Sequence, residues 1–130
     1  MIVSEKVFVD TDVIIDCMRG REEAVAFIKA IKSRIILSAM TIAELYAGIK
    51  GAEEERALET FLSLCLIVPV TTEIAKAAGL LKRDFGKSHG VGIADAILAA
   101  TAQAKNAELA TLNIRHYPML PGLKPAYAKK

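Results

Sequence analysis

The stretch VFVDTDVIID at residues 7–16 decides the fold expected of this chain. Three large apolar residues form a short strand that ends at the carboxylate of Asp10, and Asp12 and Asp16 follow in an otherwise apolar segment. Ionised groups set singly into apolar segments are costly unless something pairs with them. A buried strand that ends in acids therefore predicts a functional site at its carboxyl end.

Two further acids stand alone in apolar stretches. Glu44 is the only charged residue between positions 35 and 49, and Asp95 is the only one between positions 90 and 104. Two carboxylates about 5 Å apart repel by about 3 kcal/mol at an effective dielectric of about 20. Mg²⁺ and Mn²⁺ prefer carboxylate oxygens. If these segments converge, we expect the cluster to bind a divalent cation.

Apolar strand patterns alternate with helical patterns along the chain. Strands are predicted at 7–10, 34–38, 66–70 and 108–111, helices at 13–18, 22–32, 41–50, 53–65, 72–85 and 93–105, and a glycine-rich loop at 86–92. This order predicts an α/β fold with a mainly parallel sheet covered by helices on both faces. Ligands bind such sheets beyond the carboxyl ends of the strands. Asp10 closes the first strand there, and Asn113 follows the fourth.

The composition indicates one globular domain over residues 1–130, since 53% of the residues are hydrophobic and 25% are charged. A net charge of +2 is too small to imply a nucleic-acid partner by itself. Cys17 and Cys65 form no CxxC pair, which favours reduced core cysteines in a cytoplasmic protein. We recognise no secretory signal and no membrane-spanning stretch.

Each acid also has a purely structural interpretation. Asp12 is suited to cap the helix that follows it. Thr41 and Glu44 have the spacing of a capping box. Asp95 falls in the first turn of its helix, where the helix dipole favours a negative charge. Asp16 either stays near the other acids or faces solvent.

A basic cluster precedes the Asp95 segment and consists of Lys82, Arg83, Lys87 and His89. It is either the solvated side of an amphipathic helix and its exit loop, or a rim that contacts phosphates. Asn113 and His116 are interpreted, on local grounds, as a loop cap and a surface residue.

Four motifs in order carry a resemblance: VDTDVIID at 9–16, TIAELYAG at 41–48, IADAILAATA at 93–102 and ATLNIRHY at 110–117. The chain resembles PIN-domain proteins, and most closely the VapC-type toxin nucleases of toxin–antitoxin pairs. The resemblance implies a three-layer α/β/α sandwich. It also implies a Mg²⁺- or Mn²⁺-dependent endoribonuclease that acts on single-stranded or loop RNA.

The family's acidic quartet carries over to Asp10, Glu44, Asp95 and the position of Asn113. Asp10 and Asp95 are the expected direct metal ligands, and Glu44 would ligate the metal or orient the attacking water. The chain departs from the all-acid pattern at Asn113, so the number of bound cations, one or two, stays open. The resemblance also implies residues that support or orient the ligands: Thr11, Asp12, Asp16 and Thr111.

The same resemblance implies an antitoxin partner and a homodimer, besides the RNA substrate. An antitoxin segment would bind exposed apolar surface on the early helices and block the acidic pocket. The candidate contact residues are Ile15, Met18, Tyr46 and Ile49.

Three alternatives stay open from the sequence. Residues 7–13 also resemble the strand and DxD acid pair of haloacid-dehalogenase phosphatases, with Asp10 as nucleophile and Asp12 as general acid, although the late acid pair of those enzymes is missing. Asn113 favours a PIN-like binding module without activity. An RNA-processing PIN nuclease without an antitoxin is the third alternative, and a small antitoxin gene immediately upstream would argue against it.

Overall fold

Strands and helices alternate along residues 6–128, the part of the chain that the computed structural model describes. The strands are β1 (Val7–Val9), β2 (Ile35–Ser38), β3 (Leu66–Val68) and β4 (Glu108–Ala110). The helices are α1 (Thr11–Met18), α2 (Glu22–Ile31), α3 (Ala39–Ala47), α4 (Gly51–Leu62), α5 (Thr72–His89) and α6 (Ile93–Ala104). A short 3₁₀ helix, Ile114–His116, follows β4.

The four strands form one parallel sheet in the order β3-β2-β1-β4. β1 lies inside the sheet, because Val7 pairs with Ile35 of β2 on one side and with Glu108 of β4 on the other. The carboxyl ends of β1 and β4 are therefore neighbours. The parallel sheet predicted from the alternation of elements is confirmed.

The sheet separates two apolar cores. Phe8 and Leu109 pack in the core shared with α5 and α6. Val7 and Val9 point the other way, into the core shared with α1, α2 and α4. This alternation follows from the period of two along a strand, and the near-continuous apolar strands are typical of a sheet buried on both faces. The three-layer α/β/α architecture is therefore confirmed.

Two strands turn directly into helices, and a polar side chain at the junction caps each helix. Asp10 is the cap of α1 and accepts a hydrogen bond from the Thr11 N–H at 2.7 Å. Ser38 is the cap of α3 and accepts one from the Met40 N–H at 3.0 Å. The interpretation of Asp12 as a cap is thus wrong. The capping box from Thr41 is also wrong, because α3 begins at Ala39 and places Thr41 inside the helix.

Helix α5 is longer than predicted, since it continues through Gly86 to His89. It ends at Gly90, which adopts a left-handed conformation with φ of 65° and donates its N–H to the Gly86 carbonyl at 3.0 Å. Glycine is favoured at such a helix end because it lacks a Cβ atom. The predicted loop at 86–92 is therefore only the short connection from Gly90 to Gly92.

Both cysteines are free, half-buried thiols. Burial raises the pKa of Cys17 and raises that of Cys65 to about 11. Thiols with raised pKa values stay protonated at neutral pH and are poor nucleophiles. Across residues 6–128, none of the helices has both the length and the hydropathy required to cross a bilayer.

The Ser38 cap observed for α3 can be tested against the Thr41 cap predicted from the sequence. Ser38→Ala should lower the free energy of unfolding by about 1 kcal/mol, because it removes a buried helix cap. Thr41→Val should leave it unchanged or raise it, because the buried Thr41 hydroxyl has no hydrogen-bond partner among the described residues. Urea unfolding of both variants measures the difference. A larger loss of unfolding free energy in Thr41→Val than in Ser38→Ala would instead support Thr41 as the cap of α3.

Candidate active site

Asp10 stands at the junction of β1 and α1 with only 7% of its surface exposed. Its Oδ1 atom accepts the Thr11 N–H at 2.7 Å. Its Oδ2 atom accepts the hydroxyl groups of Thr111 and Tyr117, both at 2.8 Å. Donors from both ends of the chain therefore fix this one carboxylate.

Burial dominates the electrostatics of this carboxylate. It raises the pKa of Asp10, the three hydrogen bonds oppose the rise, and the charge of Asp95 adds to it. Burial and the Asp10 charge also raise the pKa of Tyr117. The Tyr117 hydroxyl therefore keeps its proton and acts as a hydrogen-bond donor at neutral pH.

Asp95 lies in the first turn of α6 and faces the same hydroxyl. The Tyr117 oxygen is 3.5 Å from Asp95 Oδ1, and His116 Nδ1 is 3.4 Å from Asp95 Oδ2. The Asp95 side chain is 27% exposed, so water and a ligand can reach it. The structure thus brings Asp10 and Asp95 together on either side of one phenolic oxygen.

Glu44 reaches the site through Thr11. The Thr11 hydroxyl donates to Glu44 Oε1 at 2.6 Å, while its backbone N–H donates to Asp10. Glu44 is exposed on α3, so one of the three acids is open to solvent. The predicted role of Thr11 in orienting carboxylates agrees with these contacts.

Asp12 ties α1 to the segment after β4. Its Oδ2 atom accepts the Leu112 N–H at 3.0 Å, and its buried Oδ1 atom has no hydrogen-bond partner among the described residues. Burial, followed by the charge of Asp10, raises the pKa of Asp12 to about 6. Asn113 is exposed, and its backbone N–H donates to the Thr111 hydroxyl at 3.0 Å.

Asp16 is engaged at the opposite end of α1. Its Oδ2 atom accepts the Tyr127 hydroxyl at 2.9 Å and lies 3.4 Å from Arg21 Nε. The Tyr127 ring also packs against Phe27 of α2. These contacts give Asp16 a structural role in holding the C-terminal segment against α1 and α2.

The basic cluster lies on the C-terminal turns of α5, not in an exit loop. Lys82 Nζ donates to the Val91 carbonyl at 3.1 Å and so supports the turn into α6. Arg83 pairs with exposed Asp84 at 2.9 Å. Lys87 and His89 are exposed in the last turn, close in sequence to the first turn of α6 that carries Asp95.

Sequence reasoning missed Tyr117 and underrated His116. Tyr117 is 1% exposed, although it lies in a polar tail between the 3₁₀ helix and a proline. The one available signal was its place in the ATLNIRHY motif at 110–117. Its hydroxyl contacts depend on tertiary packing, which no local pattern shows.

The donor chemistry of the site suits a hard divalent cation. A carboxylate has about four acceptor positions, and the three donors on Asp10 leave one of them on Oδ1. Within residues 6–128, His, Cys, Asp and Glu side chains form no group of three close enough to enclose a metal ion. Mg²⁺ is usually bound by one or two carboxylates together with water and substrate phosphates. Asp10 and Asp95 fit that pattern.

The raised pKa of Asp12 predicts a pH dependence of stability. An acid whose pKa is higher in the folded state contributes stability below its unfolded pKa, here 3.8, and that contribution is lost as the pH rises through about 6. In EDTA, the free energy of unfolding should therefore fall between about pH 4 and pH 7, by about 1 to 2 kcal/mol for this partly exposed group.

Asp12→Asn keeps an oxygen to accept the Leu112 N–H and removes the charge. Its unfolding free energy, measured by urea titration, should depend less on pH than that of the unsubstituted protein. Parallel pH profiles for the two proteins would contradict the assignment of this titration to Asp12.

Comparisons with known proteins were made for the whole chain. The PIN domain family matches residues 7–118. Ribonuclease VapC19 of Mycobacterium tuberculosis is 37% identical over 123 residues, which are 92% of this chain and 98% of that protein. Ribonuclease VapC10 of the same species is 35% identical over 125 residues, or 94% and 93% of the two chains.

Solved structures give the same result. A chain of a toxin–antitoxin complex from Klebsiella pneumoniae superimposes with a TM-score of 0.82 at 28% identity, covering 95% of this chain and 100% of that one. The phosphatase alternative is wrong, because the chain matches the PIN domain family over residues 7–118. The chain belongs to the PIN domain family.

Proposed function

We propose that this protein is a divalent-cation-dependent endoribonuclease and the toxin of a toxin–antitoxin pair. The observation that carries the proposal is the pair of carboxylates, Asp10 and Asp95, on either side of the Tyr117 hydroxyl. The names of the relatives, ribonucleases VapC19 and VapC10, support RNA as the substrate. The toxin–antitoxin complex among the structural neighbours supports the toxin role.

The chain would hold Mg²⁺ or Mn²⁺ on Asp10 and Asp95, with Glu44 as a further ligand or as the group that orients the attacking water. A bound cation of this kind lowers the pKa of water and stabilises negative charge on the phosphate. Thr11 fixes Asp10 and Glu44 relative to each other through its N–H and hydroxyl groups. Because Glu44 is exposed, it is free to accept a hydrogen bond from water at the open side of the site.

RNA would approach over the C-terminal turns of α5. Lys87 and His89 lie in the last turn of α5, directly before the start of α6, so the Lys87 charge would lie near the rim on which Asp95 stands. Lys82 and Arg83 already contact Val91 and Asp84, which makes them weaker candidates for phosphate contacts than Lys87. Phosphate contacts by exposed cations position a nucleic acid without reading its sequence.

An apolar groove of about 280 Å³ between α1, α3 and α4 is the surface proposed for the antitoxin. Ile15, Met18 and Ile49 line it, and Glu44 borders it, so the groove leads toward the acidic site. Tyr46, the fourth predicted contact residue, packs instead against the core beneath α1 and α4. The charged residues of the lining are three acids, Glu44, Glu53 and Glu54, and two bases, Arg19 and Lys50. Their small negative excess favours a partner segment that carries apolar side chains and some basic ones.

The homodimer expected from the resemblance stays a prediction. Exposed apolar side chains that would suit such an interface are present on β3, α5 and α6, namely Leu66, Leu80 and Ile93. Isolated exposed apolar residues are common on monomers as well.

The nuclease proposal is tested by cleavage of a structured RNA with Mn²⁺, with EDTA, and with the Asp95→Asn variant. We expect cleavage only with the metal, and a loss of roughly 100-fold or more in Asp95→Asn, since the substitution removes a charge that would face the cation. Glu59→Gln is the matched control, because it removes an exposed carboxylate on α4 that belongs neither to the site nor to the basic cluster. Cleavage that persists in EDTA, or full activity in Asp95→Asn, would contradict the metal-dependent mechanism.

The toxin proposal predicts a small reading frame immediately upstream of the gene, and it is tested by co-expression of the chain with that reading frame. We expect its product to co-purify with the chain, and Met18→Lys to abolish co-purification while RNA cleavage persists, because Met18 is exposed in the groove. Leu64→Lys, which changes an exposed apolar residue outside the groove, is the control and should still bind. Active protein that binds no such product would favour an RNA-processing nuclease without an antitoxin.

A further inference from the structure

Tyr117 is 1% exposed, and its hydroxyl contacts two acids of the site, Asp10 and Asp95. We propose that Tyr117 is a positioning residue, whose hydroxyl sets the separation of the Asp10 and Asp95 carboxylates so that one cation can bind both. The proposal rests on the function proposed above, since it concerns the same two carboxylates. It adds a residue to which neither the family motif nor the acid pattern assigns a role.

The first argument is the position of the hydroxyl. The Tyr117 oxygen lies 2.8 Å from Asp10 Oδ2 and 3.5 Å from Asp95 Oδ1. Two like charges that face each other in a half-buried site repel. The hydroxyl has one proton, which it donates to Asp10 at the shorter distance, and this bond offsets part of the repulsion while no cation is bound. The other oxygen of Asp95 faces His116 Nδ1 at 3.4 Å, so Tyr117 and His116 both border this carboxylate.

The second argument is the rigidity of the tyrosine. Its ring is 1% exposed and packs in the core between the sheet and helices α5 and α6. Its backbone N–H donates to the Ile114 carbonyl at 3.1 Å, which ties it to the 3₁₀ helix. A buried ring with few rotatable bonds holds its hydroxyl at a defined place, so the hydroxyl can serve as a spacer.

The third argument is the use of acceptor positions on Asp10. Among residues 6–128, Thr111 and Tyr117 both donate to Oδ2, whereas Oδ1 accepts a single hydrogen bond, from the Thr11 N–H. The open acceptor position is therefore on Oδ1, which we assign as the atom that would face a cation. The Thr111 hydroxyl contacts Asp10 alone of the two acids, whereas the Tyr117 hydroxyl also faces Asp95. Removing each hydroxyl in turn therefore distinguishes the effect of a hydrogen bond to Asp10 from the effect of bridging the two carboxylates.

The test compares Tyr117→Phe with two other hydroxyl deletions. Phenylalanine keeps the ring in the core and removes only the hydroxyl. By calorimetric titration without RNA, Tyr117→Phe should bind Mn²⁺ roughly 10- to 100-fold more weakly, the range usual for residues that orient metal ligands. Thr111→Val should lose less of its Mn²⁺ affinity than Tyr117→Phe. Tyr127→Phe, which removes the hydroxyl that donates to Asp16, should bind Mn²⁺ like the unsubstituted protein.

Two further readouts separate positioning from general stability. In RNA cleavage, Tyr117→Phe should lower kcat at limiting Mn²⁺ and leave KM for RNA unchanged, because the buried hydroxyl cannot touch RNA. In crystals grown without metal, the Asp10 and Asp95 carboxylates should lie farther apart in Tyr117→Phe than in the unsubstituted protein.

Equal Mn²⁺ affinity in Tyr117→Phe and the unsubstituted protein would overturn the proposal. A loss in Thr111→Val as large as that in Tyr117→Phe would also overturn it, since bridging would then add nothing. An unchanged distance between the Asp10 and Asp95 carboxylates in the metal-free crystals would also overturn the proposal. This outcome does not depend on whether the protein cleaves RNA. Absence of RNA cleavage by a protein that binds Mn²⁺ through Tyr117-positioned carboxylates would contradict the nuclease function alone.

Discussion

The burial of one carboxylate, that of Asp10, is the constraint on which the site depends. A carboxylate at the end of a buried strand is tolerated only if donors surround it. Those donors come from Thr11 at the start of α1, from Thr111 directly after β4 and from Tyr117 directly after the 3₁₀ helix. Satisfying Asp10 therefore requires that β1 and β4 be neighbours, and the parallel sheet makes them so.

The remaining acids are organised around this point. Thr11 connects Asp10 to Glu44 on α3, and Tyr117 connects it to Asp95 on α6. The two connectors face different cores, since α1, which begins at Thr11, packs in the core shared with α2 and α4, whereas Tyr117 packs in the core of α5 and α6. The site thus joins both helical layers at the carboxyl edge of the sheet, which is where ligands bind in open parallel sheets.

The sequence predicted the architecture well because its strands are apolar on both faces and separated by helical patterns. It also singled out Asp10, Glu44 and Asp95, since a lone charge in an apolar stretch stands out. It erred at the helix starts, because Thr41 has good capping spacing but Ser38 lies directly at the end of β2. It could not find Tyr117, since the contacts of this residue with Asp10 and Asp95 span long stretches of the chain and leave no local periodicity.

The central claim is that Asp10 and Asp95 jointly bind a divalent cation. Anomalous diffraction from crystals soaked in Mn²⁺ tests it most directly, because the signal locates the ion without any assay of activity. The account predicts a manganese peak in contact with both carboxylates, and loss of that peak in Asp95→Asn crystals. A peak bound elsewhere on the protein, or its persistence at Asp10 when Asp95 is replaced, would contradict the account.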